Sequence, residues 1–84
     1  MKKYRTKPCE VYALQWTGDN FKEMILFTNG AVKFKVSQGI IKLVIPTLEG
    51  DMVARVTDYI IKGLAGEFYP CREDVFNEKY EEEE

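Results

Sequence analysis

A chain of 84 residues, 45% hydrophobic and 31% charged, can build one modest core and no second domain. It contains no histidine, which excludes His-based triads, Cys–His dyads and imidazole metal sites, and its two cysteines form no zinc-finger spacing. The net charge of −2 excludes the strong basic excess of a dedicated duplex-binding protein.

The charge is lopsided. Lys2, Lys3, Arg5 and Lys7 open the chain and Glu81, Glu82, Glu83 and Glu84 close it. The plain reading is a solvated strand entry and a frayed helix end. The sharper one is a basic arm meeting an acidic tail on a neighbouring subunit. No apolar run approaches the ~18 residues of a membrane helix, and no apolar secretion segment follows the basic start. Cys9 and Cys71 are therefore expected to be reduced structural thiols rather than a disulfide.

From Pro8 to Trp16 the chain alternates, with Tyr12, Leu14 and Trp16 on one face and Val11, Ala13 and Gln15 on the other. That pattern is a strand, broken at Thr17–Asn20. Asn20 with Glu23 resembles a capping box and opens a helix over Phe21–Thr28. Its apolar stripe is Phe21, Met24, Ile25 and Thr28, and Asn29-Gly30 supplies the left-handed stop.

Residues 31–70 read as strands. Val32, Phe34 and Val36 alternate with Lys33 and Lys35, a turn follows at Ser37-Gln38-Gly39, and Ile40–Ile45 is apolar on both faces. Pro46 ends or bends that strand. After a turn at Glu49-Gly50-Asp51 come Met52, Ala54 and Val56, then Tyr59–Lys62 and Glu67–Tyr69 joined by the glycine-bounded loop Gly63–Gly66. Glu73 and Asp74 open a last helix, packed through Phe76 and Tyr80.

The expected fold is α+β: a single domain over residues 1–80, a curled antiparallel sheet of four to six strands with two short helices, and an acidic tail at 81–84. Phe34, Ile41, Leu43, Val56, Ile60 and Phe76 are the expected core. The doubly apolar Ile40–Ile45 strand suggests a homodimer or higher oligomer.

Met-Lys-Lys-Tyr-Arg-Thr-Lys-Pro at 1–8, Gln-Trp-Thr-Gly-Asp-Asn at 15–20 and several phrases between Thr47 and Glu81 resemble a family of small phage and prophage accessory proteins. Those phrases are Thr-Leu-Glu-Gly-Asp-Met at 47–52, Asp-Tyr-Ile-Ile-Lys-Gly at 58–63, Gly-Glu-Phe-Tyr-Pro-Cys at 66–71 and Val-Phe-Asn-Glu-Lys-Tyr-Glu at 75–81. The resemblance is weakest over residues 31–45. It implies the cytoplasm of a bacterial host and brings no catalytic residues with it. Relatives tend to carry glycine where this chain has Thr57; threonine tolerates positive φ poorly, so the turn is expected to take another form.

Three groups of residues are candidates for chemistry. Thr47, Glu49, Gly50 and Asp51 offer a hydroxyl, two carboxylates and an approachable backbone, against an ordinary hairpin tip. Paired carboxylates for catalysis would need a second acid near this loop, Asp58 or Glu67. Lys62 faces either Glu67 as a cross-strand ion pair or an anionic ligand. Aromatics at strand ends, Trp16 and Tyr69, beside Lys62 or Arg5 would make a stacking platform.

The reading is a non-catalytic accessory protein that binds a small anionic, nucleotide-like ligand or occludes a host protein, countering host defence. The site would combine Lys62 or Arg5 with Tyr69 or Trp16, under the Thr47–Gly50 loop. A carboxylate-based enzyme, with or without metal assistance, or a structural and morphogenetic role stands as the alternative. No cofactor, metal, membrane or duplex nucleic acid is called for by these residues.

Overall fold

The structure, a computed structural model, describes residues 2–5 and 10–82. Eight strands and two helices follow in the order β1 (Lys2–Arg5), β2 (Glu10–Gln15), α1 (Phe21–Thr28), β3 (Lys33–Ser37), β4 (Ile40–Thr47), β5 (Gly50–Ala54), β6 (Tyr59–Lys62), β7 (Phe68–Cys71), α2 (Glu73–Lys79) and β8 (Glu81–Glu82). The α+β class stands. The strands divide into two antiparallel sheets, one of five in the order β7-β6-β2-β1-β8 and one of three in the order β3-β4-β5.

The alternation along β2 explains the layering. Val11 and Ala13 project to one face of the larger sheet and join Ile61 and Phe76, with Tyr4, Tyr59, Tyr69 and Tyr80 packed around them. Trp16, with half-buried Leu14, projects to the other face and meets Met24 of α1, Leu43, Ile45 and Ala54 of the small sheet, and Ile60. The five-stranded sheet is thus covered by α2 on one side and by α1 with the small sheet on the other.

In the α2 core Phe76 stacks on Tyr59 at 3.9 Å between ring centroids and on Tyr80 at 4.8 Å. In the other core Trp16, Phe21 and Phe34 form a three-ring cluster. Aromatic contacts of this kind add to plain area burial.

Helix α1 ends as its sequence dictates. Asn29 is left-handed at φ +54°, and Gly30 N–H returns to Ile25 O at 2.9 Å while Asn29 N–H returns to Leu26 O at 3.3 Å, a Schellman stop. Its start differs from expectation. The Asn20 side chain caps no helical N–H; it donates to Gln15 O and accepts from Thr17 N–H instead, because the tight 15–20 turn claims both its ends. Met24 and Thr28 are buried and Phe21 and Phe27 half-buried, whereas Ile25 is exposed.

Two expected core residues are exposed, Ile41 at 42% and Val56 at 54%. Ile41 stands opposite Val36 near the tip of a β3–β4 hairpin that outruns the core. The body measures 41 × 22 × 22 Å. Leu43, Ile60 and Phe76 are buried and Phe34 is half-buried.

The chain ends also differ from expectation. The basic start and the acidic run meet within one chain: Tyr4 pairs with Glu82 and Arg5 with Glu81. The glutamate run thus begins as a strand closing the edge of the sheet rather than as a tail beyond it. Thr57 adopts the positive φ, +83°, that a glycine would take there. The turn keeps its form because Trp16 N–H donates to Asp58 O at 2.8 Å and Thr57 N–H to Trp16 O at 2.7 Å.

Candidate functional site

Thr47, Glu49 and Tyr69 come together, without Lys62 or Trp16. With Leu48, Met52, Glu67 and Phe68 they line a cleft of about 240 Å³. Its chemistry is not that of an anion site: the charged lining residues are Glu49 and Glu67, both acidic. The Thr47 hydroxyl is already used by the turn, donating to Gly50 O at 2.6 Å and accepting Glu49 N–H at 3.2 Å. Gly50 is at φ +108°, a conformation that suits a tight turn.

Tyr69 presents a weak acid. Burial, then the neighbouring Tyr80, push its phenol from 10.0 up to about 12, so it stays protonated at neutral pH. Cys71 is a free thiol, raised above its ordinary value chiefly by burial, which leaves it a poor nucleophile. Cys9 lies outside the described residues.

Trp16 does not serve as a platform. It is 1% exposed and belongs to the core, since residues 57 and 58 seal the end of β2 across it. Nor do Lys62 and Glu67 pair across the hairpin. The register sets Lys62 opposite Phe68, and Glu67 folds its carboxylate over Gly63 to accept Ala65 N–H at 3.1 Å. The Arg5 side chain lies outside the described residues.

Lys62 finds a different aromatic. Tyr12 stands directly opposite it across the β2–β6 ladder, and the two line a groove of about 560 Å³ with Glu23, Leu26 and Phe27 of α1. Tyr12 is 43% exposed and Leu26 73%, and Lys62 is exposed. Among the described residues the Lys62 side chain has no hydrogen bond or ion pair. The groove joins a cation, a π-face and an apolar wall to one carboxylate.

Tyr12 is the residue that sequence reasoning missed. Its parity matched Trp16, and the only signal that could separate them was the β2–β6 register. Among the described residues no group of three or more metal-ligating side chains forms. No helix of the described residues is long and apolar enough to cross a membrane. Comparison with family models, curated proteins and solved structures gave no match.

Proposed function

We propose that this protein acts by binding rather than by catalysis, as a phage or prophage accessory protein that sequesters a small nucleotide-like ligand in the host cytoplasm. The observation that carries this reading is the pairing of Tyr12 with Lys62 at the floor of the α1 groove. A phosphate is matched by the Lys62 ammonium and a base by the Tyr12 face. Leu26 and Phe27 supply the apolar wall, and Glu23 offers an acceptor to an exocyclic amine. The same carboxylate disfavours a ligand that is anionic throughout.

A small carboxylate enzyme is the second reading, supported by Glu49 and Glu67 lining one cleft. The Glu67 carboxylate is engaged by Ala65 N–H, which weighs against it. One experiment separates the two. Purified protein is incubated with a nucleotide pool, washed and heat-denatured. Release of an intact nucleotide supports sequestration, turnover to a product supports the enzyme, and an empty supernatant removes the ligand reading.

A further inference from the structure

On a surface separate from that groove, we infer that strand β3 is a docking edge for an extended segment of a partner protein that alternates acidic and apolar residues. Strand β3 ends the small sheet, with no strand beyond it among the described residues. Along one face of the hairpin lie Lys33, Lys35 and Lys42, all exposed, with Lys35 directly opposite Lys42. Like charges at facing positions destabilise a ladder. No acidic residue occurs between Glu23 and Glu49 in the sequence; the acid that the register puts on this face is Asp51 of β5, opposite Pro46 at the far end of β4. Among the described residues none of the three lysine side chains has a hydrogen bond or ion pair.

Edge lysines ordinarily guard a sheet against indiscriminate pairing, and Lys33 and Lys35 fit that role. Lys42 does not. It lies on the central strand β4, which is flanked by β3 and β5, where there is no edge to guard. Its charge makes the face a positive field, which steers an acidic partner and rejects basic ones. The opposite face of β3 is apolar, with half-buried Phe34 and with Val36, 69% exposed, opposite Ile41.

A strand added to β3 would therefore meet cations on one side and hydrocarbon on the other, and side chains alternate faces along a strand. The matching ligand alternates Asp or Glu with an aliphatic residue. The chain's own Glu81–Glu84 run has no such alternation, so a second copy fits poorly. Single-stranded nucleic acid fits poorly as well, because the lysine face holds no aromatic for bases to stack on.

The probe is a short synthetic peptide alternating glutamate and valine, titrated against the full chain and followed by amide hydrogen exchange. Saturable binding with exchange protection concentrated at Lys33–Ser37 is expected. Lys35→Glu and Lys42→Glu should each weaken it by about tenfold or more. Either reversal replaces the like-charge pair by an opposite one, so the variants should fold at least as well as the parent. Equal binding of a peptide with the glutamates and valines in separate blocks would overturn the proposal. So would unchanged affinity in both variants, preferential binding of oligothymidylate, or self-association that protects the same amides.

Discussion

Thr57 donates its N–H to the Trp16 carbonyl at 2.7 Å while holding φ at +83°. A β-branched residue is strained there, and the strain is kept because the bond helps to seal the end of β2 over the buried indole. Thr57→Gly leaves the backbone bond intact and removes the steric cost. It should stabilise the protein by up to about 1 kcal/mol, the relief of strain being partly offset by glycine's greater unfolded-state entropy. Urea unfolding checks this through a higher midpoint at unchanged slope.

The two aromatic clusters should differ in sensitivity. Phe76 is 1% exposed and touches Tyr4, Tyr59 and Tyr80. Phe76→Ala should cost about 3–5 kcal/mol, most of the stability of a domain this small. Phe34 is only half-buried, so Phe34→Ala should cost less. Thermal unfolding followed by near-UV circular dichroism would rank the two.

What the sequence made legible follows from period and composition. The alternation of Val11, Ala13 and Tyr12, Leu14, Trp16 marked both faces of β2, and Asn29-Gly30 marked the end of α1. Period two names a face but not how far along a strand the core extends, which is why Ile41 and Val56 were assigned to the interior. Nor does it give strand partners. Tyr12 and Lys62 become neighbours only through the β2–β6 register, and the engagement of Thr47 and Glu67 by their own turns depends on loop geometry.

Tyr69 makes stability pH-dependent at the alkaline end. Its phenol is raised from 10.0 to about 12, first by burial and then by Tyr80. The native state thus holds its proton more tightly than the unfolded chain. Its contribution is complete below pH 10, declines above it and is lost as the pH rises through about 12. Tyr69→Phe cannot ionise, so its unfolding midpoint should fall less steeply over that window than the wild-type midpoint.

Cys71 should be slow toward thiol reagents at neutral pH. Burial raises its pKa, and the thiolate is the reactive form. Native protein should react at Cys71 more slowly than urea-unfolded protein, as mass spectrometry of the labelled Cys71 peptide would show.

On the proposed function, the groove between α1 and the larger sheet holds a ligand with a flat ring and a negative charge, gripped by Tyr12 and Lys62. Isothermal titration with a panel of nucleoside mono- and diphosphates, on the wild type and on Tyr12→Ala and Lys62→Gln, tests it most directly. Both side chains are at least partly exposed, so the variants should stay folded. At least one nucleotide should bind, and each substitution should weaken it by about tenfold or more, the loss at Lys62 shrinking in high salt. Binding that survives both substitutions unchanged, or no binding across the panel, would contradict it.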